Sequence, residues 1–348
     1  MCRSVVADWT SSHTPLALDA RFALAPGGIA QLALTRIATD ASPPYVMHLV
    51  AEVDGPVRNA VARVVRAGED PGNPGCYLGT SAIGGGKYVF RVVGHDTSGK
   101  RSASKHEGVL GGDVGDLPPR VLAHRTDGRH FGWVVGARWL VRLDSGLRLA
   151  ARAWGEGDDA WMNVDGPELG TLMPGRPVVS GAAIFFPVMS GARVGLVVWD
   201  AEHGSRPLLG WIGDGTRAAG DLGTDGKDLV WSYGELKGTG KPPSRSLMTA
   251  AFTTDAASLQ PRRVRSDPGT GIEGNAWVVG CGMAAHTSGG GGITVVRLAD
   301  GRSWSVPGRS SNFALEAPIG LTCDEVFAPG LLNGRTSIAA VRIQSLPP

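Results

Sequence analysis

The sequence predicts an all-β fold assembled from repeated small antiparallel sheets, on three observations. The first is the stretch Leu229-Val230-Trp231, a short apolar strand entered through the turn Thr224-Asp225-Gly226-Lys227; variants of it recur down the chain. An Asp-Gly pair between short apolar runs is a strong hairpin signal, because Gly takes the positive φ that a tight turn requires. The second is the glycine content, 52 of 348 residues, which is about twice the usual share and suits many tight turns. The third is a period. Phe90, Trp133, Phe186, Trp231, Trp277 and Phe327, each read as the aromatic of a second strand, follow one another at intervals of 43 to 53 residues. Units of four short strands repeat at about that length.

Composition bounds the function classes. Hydrophobic residues make up 42% and charged residues 19%, enough for a large core and too apolar for wholesale disorder. The net charge is +2, and no Lys/Arg block interleaves with aromatics, so no nucleic-acid partner is expected. No stretch reaches the roughly 18–20 apolar residues of a membrane helix. Met1-Cys2-Arg3-Ser4-Val5-Val6 has no signal-peptide apolar core. The chain is therefore cytoplasmic, or else an export signal lies upstream of this start, in which case a periplasmic or cell-surface location is favoured and Cys2 is a candidate lipid anchor. Cys2, Cys76, Cys281 and Cys323 form no CxxC pair, so a zinc site on that spacing is unsupported. Cys281 and Cys323 are placed to bridge neighbouring repeats, but the balance favours buried free thiols.

Taken in order, Val5 to Trp9 reads as a strand with no partner beside it. Residues 16–24 and 29–37 are two apolar runs split by Pro26-Gly27-Gly28. Tyr45 to Val53 and Val57 to Val65 flank Asp54-Gly55 as a hairpin. Cys76 to Ile83 and Tyr88 to Val93 flank Gly84-Gly85-Gly86, and Gly94 to Gly115 marks its strands poorly. The cleanest unit is Arg120 to Ala123, His130 to Val135, Arg138 to Leu143 and Leu147 to Ala151, four strands joined by tight turns. A second unit spans Pro177 to Leu209, a third Asp221 to Arg265, a fourth Trp277 to Val306. The last, Ile319 to Ile343, lacks a fourth strand. Arg142-Leu143-Asp144-Ser145-Gly146 and Arg297-Leu298-Ala299-Asp300-Gly301 are expected at the same place in their units.

A four-stranded antiparallel meander repeated in this way is the blade of a β-propeller. Counting the N-terminal unit, residues 1–348 are expected to form one domain, a seven-bladed propeller. Its ring is closed when Val5 to Trp9 completes the last blade, which removes the open sheet edges at the seam. Over nearly the whole chain the pattern resembles the β-propeller superfamily, of the kelch or Tol-associated type. The tryptophan-aspartate mark of one subgroup occurs once, at Trp199-Asp200, so no family's functional residues carry over.

Motifs that would carry chemistry fail on context. Gly94-His95-Asp96-Thr97-Ser98-Gly99-Lys100 has phosphate-loop spacing, but Arg101 stands where a magnesium-binding Ser or Thr belongs and no amphipathic helix follows. Gly269-Thr270-Gly271-Ile272-Glu273-Gly274 precedes a strand, whereas a dinucleotide site needs it between strand and helix. Glu156, Asp158, Asp159, Asp165 and Glu168 crowd one loop with Trp154 and Trp161. Such oxygens can hold calcium, although a solvated acidic loop is the favoured reading and no cofactor is expected. There is no GxSxG elbow and no HExxH.

In a meander the loops after strands two and four share one face, and the remaining turns share the other. The long insertions fall on the first set: residues 94–99, 153–175, 233–244, 266–275, 284–292 and 308–318. Loops on a rigid scaffold concentrate binding residues, which nominates His95, Asp96, Asp158, Trp161, Tyr233, Glu235, Lys237 and His286. The expected function is a non-catalytic, monomeric scaffold that recognises a protein or glycan through that face. The alternative is a propeller hydrolase or lyase with carboxylates and a histidine at the mouth of the central channel, with calcium as the candidate cation.

Overall fold

The structure, a computed structural model, describes residues 10–15, 30–38, 45–53, 61–68, 76–84, 87–95, 104–113, 120–124, 130–144, 148–157, 159–164, 171–172, 177–190, 193–212, 217–235, 244–268, 277–287, 292–306, 313–315, 320–321, 323–332 and 335–343. Their strands pair, antiparallel throughout, into seven sheets, numbered here in chain order. The chain divides into two compact units: Met1–Leu16, Gln31–Val53 and Asn59–Asn163, and then Ala17–Ala30, Asp54–Arg58 and Val164–Pro348. Among the described residues no helix is long and apolar enough to cross a membrane.

In the first unit, sheet two consists of Cys76–Gly84, Lys87–His95, Ser104–Asp113 and Arg120–His124, paired in that order. Sheet three follows with His130–Val135, Trp139–Asp144, Leu149–Ala153 and Met162–Asn163. The unit expected at residues 120–151 is therefore divided between two sheets. The cause is local: the outer strand of sheet three is two residues long, Met-Asn, and shows no apolar alternation. A reader of the sequence takes Leu149–Ala153 as the last strand and phases the repeat one strand early. The same slip puts Trp133 in a first strand, where a second-strand marker was expected. It also places Arg142-Leu143-Asp144 at the end of a second strand, whereas Arg297 ends a third.

In the second unit, sheet five contains Arg217–Thr224, Asp228–Glu235, Ser244–Ala251 and Arg262–Pro268. Sheet six contains Val278–Gly280, Met283–Thr287, Ile293–Arg297 and Ser303–Val306. Sheets four and seven modify the plan, each splitting its first row into two short strands. Thr171–Leu172 and Val178–Ser180 both pair with Ala183–Ser190, and Arg193–Asp200 and Gly204–Ile212 complete sheet four. Phe313–Leu315 and Gly320–Leu321 both pair with Glu325–Leu332. The first strands at 178–180, 217–224, 278–280 and 320–321 lie side by side from one sheet to the next.

A single backbone bond marks the repeat. The residue that leaves the third strand donates its amide to the carbonyl of the residue that ends the first turn. It runs from Trp154 to Arg138 at 2.8 Å, Phe252 to Lys227 at 2.7 Å, Leu298 to Gly282 at 2.8 Å and Ile343 to Asp324 at 2.7 Å. Among the described residues four blades carry this shared geometry, where seven like blades were expected. Val5 to Trp9 lies outside the described residues, and the strand that follows it, Thr10–Pro15, pairs with Val61–Gly68 inside sheet one. Sheet seven ends on Arg335–Arg342, paired with Glu325–Leu332.

The cores lie between sheets. Leu229 and Trp231 pack toward sheet four against Phe185, Leu196, Val198 and Leu208. Val230, one residue out of phase, packs toward sheet six with Trp277, Ala284, Val296 and Leu298. Alternate side chains of a strand point to opposite faces, so a strand between two sheets is apolar at every position, as Leu229-Val230-Trp231 is.

Candidate functional site

The loop between strands three and four of sheet three collects the clearest surface chemistry among the described residues. It leaves the sheet at Trp154 and returns at Trp161. Gly155 turns the chain with φ +95°, and the Glu156 amide donates to the Ala153 carbonyl at 3.2 Å. Gly155, Glu156, Gly157 and Asp159 are exposed, while Trp154 and Trp161 are half-buried. The Arg142 guanidinium lies 4.3 Å from the Trp161 ring centroid and that of Arg152 lies 4.9 Å from it. Trp133 flanks the same ring at 6.0 Å, tilted by 58°. Pairing explains this convergence. Arg142 faces Trp133 and Ala150 across its two neighbouring strands, and Arg152 faces Leu140. All five residues therefore stand on one face of the sheet, under Trp161.

Arg152 is buried, 2% exposed, and its guanidinium donates to the Leu122 carbonyl of sheet two at 2.5 Å. Burying a cation is costly unless hydrogen bonds and aromatic faces replace its water. The Trp161 ring and the Leu122 carbonyl supply both, which fixes the ring's position. Lys87, ion-paired with Asp113, places its ammonium 5.3 Å from the Trp154 ring centroid. Sequence reading named Trp161 but missed Arg142 and Arg152. One signal was present: four of the ten tryptophans, Trp133 and Trp139 in its strands and Trp154 and Trp161 on its loop, belong to this one blade.

Of the other nominated residues, Asp158 belongs to this loop by sequence, and the described ones lie elsewhere. His95 ends the second strand of sheet two and Glu235 that of sheet five; Asp96, Asp158 and Lys237 lie outside the described residues. Tyr233 is half-buried and packs on the core between sheets four and five. His286 is buried, 8% exposed. Its Nδ1 donates to the Thr287 carbonyl at 2.6 Å, and its ring meets the Trp277 ring edge-on at 4.1 Å. Trp277 Nε1 in turn donates to Ser232 Oγ at 2.9 Å. Residues 284–292, expected as a loop, begin with strand Met283–Thr287. The phase correction also separates the candidates within their own sheets. His95, Tyr233, Glu235 and His286 approach the ends where strands two and three join, whereas Trp161 belongs to a loop joining strands three and four.

A carboxylate–imidazole contact occurs at Asp200 and His203, where Oδ1 and Nδ1 are 3.0 Å apart. Its setting is a hairpin turn. Asp200 also accepts the amides of Glu202 at 3.1 Å and His203 at 2.9 Å, and the Arg206 guanidinium at 2.6 Å. Burial pushes the Asp200 carboxyl up, but the His203 amide, Arg206 and the His203 ring outweigh it and hold the group well below the ordinary 3.8. A depressed carboxylate stabilises the fold fully above its unfolded pKa and loses that contribution as pH falls through the folded value. Asp200→Asn is therefore expected to cost about 1–3 kcal/mol at neutral pH. The deficit should shrink on acidification below about pH 4, as read by urea unfolding of both proteins at each pH.

Neither a protein-family model nor a curated protein sequence matches the chain. Solved structures do. The acylaminoacyl peptidase of Pyrococcus horikoshii superposes with a TM-score of 0.51 at 8% identity, over 89% of this chain and 49% of that one; the chain thus spans about half of that peptidase. The β-propeller domain of the Trilobed protease from Pyrococcus furiosus gives 0.48 at 11% identity, over 92% and 95%. TolB from Acinetobacter baumannii gives 0.41 at 9%, over 88% and 78%. The fold is a β-propeller of antiparallel four-stranded blades. Identities this low carry the propeller's architecture and no activity, and nothing in them is specific to the kelch type.

Proposed function

We propose that this propeller is a non-catalytic binding protein that recognises a protein or glycan through the Trp154–Trp161 loop of sheet three. The observation that carries this reading is Trp161 itself: a half-buried ring held by two arginines, on a loop whose Gly155, Glu156, Gly157 and Asp159 are exposed. Tryptophan and arginine dominate the energetics of recognition surfaces because they offer large area with little conformational freedom to lose. Glu156 and Asp159, exposed on the same loop, supply polar acceptors for orientation. This loop falls within residues 153–175, one of the long insertions expected to carry the binding residues, and it joins strands three and four of sheet three. The reading also includes a location outside the cytosol, since Cys281 and Cys323 are bonded to each other and both are exposed, and such bonds persist in oxidising compartments.

The test is to screen the purified protein on glycan and peptide arrays, then to measure the best binder by calorimetry against wild type and Trp161→Ala. The variant is expected to lose about 30-fold or more in affinity, the effect of removing a hot-spot tryptophan, while staying folded at the assay temperature with a lowered melting temperature, because the ring also covers the buried Arg152 guanidinium. Unchanged affinity in a folded variant would remove this loop as the site. Chemical conversion of the bound ligand would overturn the non-catalytic reading.

A further inference from the structure

We propose that the Cys281–Cys323 disulfide is a redox-labile clasp between sheets six and seven, opened by dithiol reductants while both sheets remain folded. The two cysteines occupy equivalent places. Cys281 lies in the turn from Val278–Gly280 to Met283–Thr287, and Cys323 in the turn from Gly320–Leu321 to Glu325–Leu332. Their Cα atoms are 5.0 Å apart, and both residues are exposed. Exposed disulfides are those that thiols reach and exchange with, whereas buried ones are inert.

The backbone around the clasp supports release. Cys281 has φ +55°, the one non-glycine with positive φ among the described residues. Such a conformation is costly in a residue with a Cβ and persists where its surroundings impose it. Each turn is also tied to the third strand of its own sheet, Gly282 to Leu298 and Asp324 to Ile343. Opening the clasp therefore frees the Cys323 turn, and with it the anchor of Arg335–Arg342. In the exchange a dithiol's thiolate attacks one protein sulfur and expels the other as a thiolate. The dithiol's second thiol then resolves the mixed disulfide. Two electrons pass to the protein, its two thiolates take up protons, and the reductant leaves as its own disulfide.

The test treats the folded, full-length protein with dithiothreitol, alkylates it with iodoacetamide and locates the adducts by peptide mass spectrometry, which separates these cysteines from Cys2 and Cys76. Alkylation of both Cys281 and Cys323 in native buffer is expected. Hydrogen exchange over residues 325–343 should then accelerate by about tenfold or more, with Ala183–Ser190 and Asp228–Glu235 unchanged. The double variant Cys281→Ser, Cys323→Ser should show that same pattern without reductant and no response to it. Alkylation only after denaturant, or reduction with no change or a uniform change in exchange, would show a purely structural bond and overturn the proposal.

Discussion

Trp231→Ala is expected to lower the unfolding free energy by about 3–5 kcal/mol, the cost of deleting a large aromatic from a packed core. Trp231 is fully buried in the second strand of sheet five, in a cluster that joins Phe185, Leu196, Val198 and Leu208 of sheet four to Leu222, Leu229, Ala250 and Leu259. Removing the indole empties the layer between two sheets, and strands locked into hydrogen-bonded ladders cannot collapse far to fill it. Trp231→Phe separates volume from hydrogen bonding. The Trp231 Nε1 is buried and has no partner among the described residues, so phenylalanine removes a donor whose burial was itself costly. It should cost about 1–2 kcal/mol, well below the alanine effect. At Trp277, whose Nε1 donates to the fully buried Ser232 hydroxyl, phenylalanine strands that oxygen as well. Chemical denaturation of the three variants reads the ranking, and a Trp231→Phe loss as large as that of alanine would refute the layer as described.

The same residues show what the sequence made legible. Leu229-Val230-Trp231 reads correctly as a strand because both of its faces meet other sheets, and uninterrupted apolar character survives any choice of phase. Met283–Thr287 was missed because Met-Ala-Ala-His-Thr has small side chains and little β propensity; its ladder on both sides makes it a strand. The disulfide was half legible. The cysteines are 42 residues apart, close to one repeat, which is what equivalent turns of adjacent blades require. The expectation of buried thiols failed because both sit at exposed turns, where packing gives no warning. At the candidate site, Trp161 was visible as an aromatic in an acidic loop. Arg142 and Arg152 were not, because their approach to that ring depends on strand register, and the register depends on a phase that the two-residue strand Met162–Asn163 conceals.

Gly223→Ala is the counterpart of the cavity experiment, and about 2–4 kcal/mol of destabilisation is expected from overpacking together with a broken hydrogen bond. A Cβ at Gly223 would lie 2.3 Å from the Trp277 carbonyl oxygen and 2.8 Å from the Trp277 Cβ. These atoms cannot withdraw by rotating a side chain. The Trp277 amide donates to the Leu222 carbonyl at 3.2 Å and its indole to Ser232, so sheet five already holds Trp277 at two points. An alanine must push the first strand of sheet six away and break at least the backbone bond. Gly280 repeats the approach one sheet later, with its would-be Cβ 2.8 Å from the Leu321 carbonyl, and its alanine variant should be milder. Gly181 supplies the contrast. Its φ is +57° and nothing lies within 4 Å of an added Cβ, so Gly181→Ala incurs only the conformational cost, about 1 kcal/mol. Urea denaturation should order the three variants Gly223, Gly280, Gly181 by decreasing loss. A Gly223 variant no worse than Gly181 would mean that the first strands of sheets five and six are not in backbone contact, and the blade-to-blade packing of this unit would have to be redrawn.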